Sequence, residues 1–231
     1  MEQNQLVIED LKIQNLNFDA TKVIANLSCL SIKPQQATKY FSEFANFKNL
    51  QELRIFIGNN KKTYYGNESQ YGLTYLGQAL ENLINIENIE INLSESKLNN
   101  EVAGSLGSAI ADLHQLKVLQ LILDRNKISF KGASFLASSI AKCVNLQYLY
   151  LNLDNNKLDK LENNESKQSQ QFDIIHQDEN EDENDEYESE DENDDYESVY
   201  YDKALKNIIL KTKRLIRFEV KWNDQSRYYD Y

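Results

Sequence analysis

Five stretches of this chain share one pattern, apolar-x-x-apolar-x-apolar-x-apolar. They run through Leu50, Leu53, Ile55 and Ile57; Ile86, Ile89, Ile91 and Leu93; and Leu116, Leu119, Leu121 and Leu123. The last two run through Leu146, Leu149, Leu151 and Leu153, and through Leu215, Phe218, Val220 and Trp222. The end of each stretch alternates with period two, which predicts a short strand with one face buried. The starts are spaced 36, 30, 30 and 69. The first interval is a 30 with an insertion near Lys61–Asn67, and the last is a 30 with about 39 residues added. A fixed period of this size is the mark of an array of like units, each too small to bury its own apolar face.

The segments ahead of the strands repeat as well. Counting back 6, 10 and 13 from each start gives Phe44, Tyr40 and Ala37; Leu80, Leu76 and Leu73; Ile110, Leu106 and Ala103; and Ile140, Leu136 and Ala133. Steps of four and three place each set on one face of a helix. Before Leu215 the same count gives Ile209, Leu205 and then Asp202, which breaks the pattern once. Each unit is therefore a strand, a turn and an amphipathic helix. Three residues past the last apolar position of each strand stand Asn60, Ser96, Asn126, Asn156 and Gln225. A side-chain amide there can satisfy backbone groups where the chain leaves the strand.

This layout resembles the leucine-rich repeat family in its long α/β form, as in ribonuclease-inhibitor-like proteins. Asn126 with Ile128, and Asn156 with Leu158, match the end of the family motif. The resemblance implies an α/β solenoid of about five to six repeats. Its curved parallel sheet would carry helices on the convex side, with an acidic insertion interrupting it. Leu27, Leu30 and Ile32 read as a shorter, degenerate strand unit without the preceding helix spacing. The expected organisation is thus an irregular N-terminal cap over 1–34, repeats over 35–158, a disordered acidic loop over 159–198, and a last repeat with a C-terminal cap over 199–231. The ending, with Arg227, Tyr228, Tyr229 and Tyr231, reads as that cap or as the end of a shortened array.

The charge is concentrated in the insertion. Asp178–Glu197 holds fourteen acidic residues in twenty positions, and without them the net charge moves from −12 to +2. Self-repulsion and a lack of apolar side chains predict disorder there. Lys203–Tyr231 carries eight basic and three acidic residues, so a segment of −14 flanks one of +5. The acidic tract disfavours nucleic acid as a partner. It also fails as an EF-hand: Asp178, Asn180 and Asp182 fit the spacing, but Glu183 and Ser189 stand where Gly and Glu belong.

Chemistry-bearing motifs do not stand out. The sequence has no phosphate-binding glycine loop, H-E-x-x-H, C-x-x-C or G-x-S-x-G. His114 and His176 are its only histidines; His114 falls in a helix-to-strand turn and His176 in the acidic insertion. Cys143 reads as a small core residue, and Cys29 likewise. The expectation is a protein that is not an enzyme, with no cofactor and no metal. Met1–Ile13 lacks the basic-then-apolar layout of a signal peptide, and no apolar run reaches the length of a membrane span. Two distant cysteines fit a reducing compartment, the cytoplasm or the nucleus, without a membrane partner.

The alternation also names a candidate binding face. Strand residues between the apolar positions are expected on the concave side: Arg54, Phe56, Glu90, Asn92, Gln120, Ile122, Tyr150, Asn152, Glu219 and Lys221, with Tyr148 beside them. Phe56, Ile122 and Tyr150 are apolar or aromatic at positions that face solvent, as binding hot spots are. Both insertions follow a strand, which puts them on one edge of the array. The resulting expectation is a noncatalytic interaction scaffold that binds a protein partner. Two alternatives accompany it. One is an acidic chaperone or decoy for a basic protein such as a histone. The other, by likeness to Ran GTPase-activating proteins, is a GTPase regulator. A fold-back of the acidic segment onto the basic C-terminal stretch is a further expectation, since its ends are tethered nearby.

Overall fold

The computed structural model describes residues 5–8, 17–27, 34–58, 68–158, 205, 207, 209, 215, 217–222 and 225–230. The chain order is β1 (Gln5–Ile8), β2 (Lys22–Asn26), α1 (Pro34–Phe44), β3 (Glu52–Phe56), α2 (Glu68–Leu80) and β4 (Asn88–Asn92). It continues with α3 (Asn100–Ala111), β5 (Val118–Ile122), α4 (Phe130–Ile140), β6 (Tyr148–Asn152), β7 (Arg217–Trp222) and β8 (Gln225–Asp230). Among the described residues these strands form one sheet in chain order, with β1 to β7 parallel and β8 antiparallel to β7. This is an α/β fold built on a parallel sheet, and α1 to α4 pack side by side in sequence.

The strand register reproduces the spacing of the sequence pattern. Glu52 pairs with Asn88, Asn88 with Val118, Val118 with Tyr148, and Tyr148 with Arg217. Both longer intervals thus leave the ladder in phase, as insertions outside the strand must. A slip of one residue would turn every apolar side chain to the wrong face. All the inward strand positions from Leu53 to Leu151 are buried, and so are the helix positions opposite them, from Tyr40 and Phe44 to Leu136 and Ile140. Leu205 and Ile209 are helical and buried, matching the count back from the last strand.

The N-terminal stretch departs from expectation. Its second strand is Lys22–Asn26, ahead of the Leu27–Ile32 window. Ala20, Val23, Ala25 and Leu27 fill the four apolar positions, are all fully buried, and pair in phase with Leu53 and Ile55. Two alanines in four places weaken the pattern, because alanine is small and poorly represented in strands. The stretch 1–34, expected as an irregular cap, thus supplies two parallel strands to the sheet. Phe18, Tyr40, Phe41, Phe44 and Phe47 then pack ring against ring at this end. At the other end Gln225 begins β8 opposite Trp222, so it is a strand residue and not part of a strand-exit turn. The insertion at 61–67, Asn60, Cys29 and the acidic loop lie outside the described residues.

Two rows of side-chain amides stitch neighbouring units together. Buried Asn126 donates through Nδ2 to Leu93 O at 2.9 Å and Leu123 O at 2.8 Å. Its Oδ1 accepts from Ser96 N and Leu98 N, both at 3.0 Å. Asn156 repeats this one unit on, donating to Leu123 O and Leu153 O at 2.9 Å and accepting from Ile128 N at 3.0 Å. Ser96 has only a short hydroxyl, which reaches Ser94 O at 3.2 Å inside its own turn. Glu95, Arg125 and Asn155 adopt the same left-handed conformation in successive turns, with φ of 54°, 55° and 55°. The second row lies at the opposite end of the strands. Asn85 Nδ2 donates to Lys48 O at 2.9 Å, and Asn145 Nδ2 to His114 O at 2.7 Å.

Leu121→Asp buries an unpaired charge and is expected to cost at least about 4 kcal/mol. Its outward neighbour, Ile122→Asp, is expected to cost less than about 1 kcal/mol. Asn126→Ala strips partners from two buried N–H groups and three carbonyls, an expected loss of about 3–4 kcal/mol, against about 1 kcal/mol for Asn145→Ala. Urea midpoints rank all four. Equal effects at residues 121 and 122 would refute the register.

Candidate functional site

The sheet face away from the helices presents three rows running across the strands. The first holds Lys22, Glu52, Asn88, Val118, Tyr148 and Arg217. The second holds Ile24, Arg54, Glu90, Gln120, Tyr150 and Glu219, and the third Asn26, Phe56, Asn92, Ile122, Asn152 and Lys221. All eleven sequence-predicted residues therefore fall on one surface. Their strand neighbours along the chain are buried while most of them are half-buried, the alternation of a sheet with one covered face.

The rows divide by chemistry. On β2 to β4 the charges compensate one another: Glu52 meets Lys22 Nζ at 3.0 Å and Arg54 Nε at 2.8 Å, and Arg54 Nε reaches Glu90 at 3.5 Å. Cross-strand pairs of this kind fix neighbouring side chains and contribute modestly to stability. On β5 and β6 the face is uncharged, with Val118, Gln120, Ile122, Tyr148, Tyr150 and Asn152. Charge returns on β7 with Arg217, Glu219 and Lys221.

Asn92 and Asn152 serve the fold from their places on this face. Asn92 Oδ1 accepts from Ser94 N at 3.0 Å, and Asn152 Oδ1 from Asp154 N at 3.0 Å. Each closes a turn as the chain leaves its strand. Ser94 Oγ lies 2.8 Å from Asn92 Oδ1 and 2.7 Å from Asp124 Oδ1, which ties that turn to the next unit. Phe56 stands between Asn26 and Asn92 in the third row, half-buried.

Sequence reasoning missed the condition of Glu219. It is 7% exposed, and its Oε1 has no hydrogen-bond partner. Lys221 Nζ lies 3.7 Å from that oxygen and 5.6 Å from the centroid of the Tyr150 ring. Burial raises the Tyr150 phenol above its ordinary value of 10.0; the hydrogen bond and charge of Lys221 oppose this, and Glu219 and Asp154 add to it. The pattern of alternation gives the side of the sheet but not how deeply a neighbouring strand covers a side chain.

His114 is exposed in the turn between α3 and β5, and Asn145 holds its carbonyl. Cys143 occupies the place of Leu83 and Leu113 in the preceding units and donates its thiol to Ile110 O at 3.2 Å. Among the described residues no group of three His, Cys, Asp or Glu side chains is placed to hold a metal, and no helix is long and apolar enough to cross a membrane. Compared with models of known families the chain finds no match, and none of the curated proteins matches it.

Burial pushes the Cys143 thiol up to about 12. In a Cys29→Ser chain, a maleimide at near-neutral pH should leave Cys143 unlabelled while the protein is folded and label it fully in urea. Rapid labelling of the native chain would refute its placement in the core.

Proposed function

We propose that this chain is a leucine-rich repeat protein of the long α/β type, and that it acts as a noncatalytic scaffold binding a protein partner on its outward sheet face. The observation that carries the reading is the uncharged strip of β5 and β6, bordered by charge on both sides. Half-exposed Tyr and Ile side chains inside a polar rim are the composition of a binding hot spot. The family assignment rests on the in-phase strand register, the helix ahead of each strand, and the amides of Asn126 and Asn156 reaching across units. In such an array strands repeat about every 4.8 Å. Packed helices need about 8–10 Å. One helix per strand then bends the array with its sheet face inward, so that Tyr148, Tyr150 and Ile122 line a concavity.

A second reading, the acidic chaperone, draws on Asp178–Glu197, whose fourteen carboxylates suit a basic partner. The two readings differ in their response to salt. Contacts made through the acidic segment weaken as ionic strength rises, whereas apolar contacts on the sheet face persist.

The test is affinity capture from native extract at low and high salt, with four chains: wild type, Ile122→Asp, Tyr150→Asp, and Phe135→Asp on the exposed side of α4. A partner kept at high salt by wild type and Phe135→Asp, and lost by both sheet-face variants, is the expected result. Retention by all four chains would refute the sheet face as the binding surface. Loss with salt alone would transfer the role to the acidic segment.

A further inference from the structure

Glu219 keeps one buried carboxylate oxygen, Oε1, without a hydrogen-bond donor. The residue is 7% exposed. Lys221 Nζ meets its charge from 3.7 Å, beyond hydrogen-bonding distance. A buried anionic oxygen left without a donor is unfavourable, and native structures rarely keep one without a use. The surroundings are suited to a cation. Tyr150 precedes Glu219 in the same cross-sheet row. Lys221 Nζ, at 5.6 Å from the Tyr150 centroid, already places positive charge against that ring.

We propose that Glu219 and Tyr150 form a receptor for an arginine side chain of a partner protein, and that Lys221 holds the place in the free chain. The inference rests on the reading of the sheet face as the binding surface. Arginine fits better than lysine for a geometric reason. Its planar fork donates to both oxygens of a carboxylate while lying against an aromatic face, whereas an ammonium group acts as a point charge. The side chain of Lys221 is 29% exposed, so its route out leads to water and not through the core. The uncharged strip beside the site, with Tyr148 and Ile122, takes the apolar residues that flank such an arginine. Charge complementarity favours a basic partner: the fourteen carboxylates of Asp178–Glu197 fall in sequence between the strands that carry Tyr150 and Glu219. Such a charge raises the encounter rate of a basic segment at long range, while the site supplies the short-range choice.

The test titrates the full chain with a peptide of alternating glycine and arginine. Salt is set high enough to shorten the Debye length to a few ångströms, which suppresses uptake by the acidic segment. Glu219→Gln, nearly the same shape, should weaken binding roughly tenfold, the loss of one charged hydrogen-bonded contact. Lys221→Ala removes the placeholder and should tighten arginine binding. The matching glycine–lysine peptide should bind the wild type more weakly. Amide exchange of β6 and β7 checks that each variant is folded. Equal binding of both peptides, unchanged by Glu219→Gln, would overturn the site. Weaker arginine binding by Lys221→Ala would also overturn it. If Glu219→Gln is silent while Tyr150→Asp still abolishes partner capture, this inference fails and the sheet-face reading stands. If neither variant changes either readout, both fail.

Discussion

A strand that ends in the middle of an array leaves backbone groups where neither a strand partner nor water reaches them, and in this chain one side-chain amide resolves that. Asn126 has two donors and one acceptor atom, and it uses them on backbone groups of its own unit and of the unit before it. No apolar residue can do this, and a carboxylate lacks the donors. The requirement fixes where the turn lies relative to the strand, and that in turn fixes the phase of the next helix and the next strand. Insertions are tolerated only where they leave this geometry alone. The long interval before β7 obeys the rule: Tyr148 still meets Arg217 in phase.

The same phase organises the outward face. In-phase strands align like positions into straight rows, so a single substitution in one unit has defined neighbours two strands away. Glu52 and Arg54 compensate charge along and across such rows. The uncharged strip on β5 and β6 is bounded by the neighbouring strands β4 and β7, not by loops, so its shape is held by the sheet. A surface of this kind needs little rearrangement on binding, which lowers the ordering cost that association must overcome.

Much of this was legible in the sequence. The five strands between Leu50 and Trp222, the helix faces ahead of them, and the amide positions Asn126 and Asn156 follow from periodicity and chemistry, whereas β8 was read as a cap. The strand at Lys22–Asn26 was hidden by Ala20 and Ala25, which fill buried positions without looking like strand residues. The second amide row, Asn85 and Asn145, has a signal, an Asn directly before the strand start. In a chain rich in Asn that signal reads as ordinary turn composition. Of the candidate face, its side of the sheet was readable from alternation alone. The turn-closing role of Asn92 and Asn152 depends on where the backbone bends next, and the burial of Glu219 depends on strands contributed by distant residues.

Because each unit touches mainly its neighbours, the molecule behaves as a one-dimensional chain of coupled elements. The amide stitching is densest between β4 and β6, where Asn126, Asn156 and Asn145 all cross from one unit to the next. These couplings make the middle of the array the natural nucleus and the last to open, with local unfolding running inward from both ends. β7 joins the array after the longest sequence separation, so closing it carries the largest loop entropy. Joining the strand that bears Glu219 and Lys221 to β6 thus carries a closure cost that the other unit joins do not, and a ligand that bridges the two strands would act as a clasp on the array.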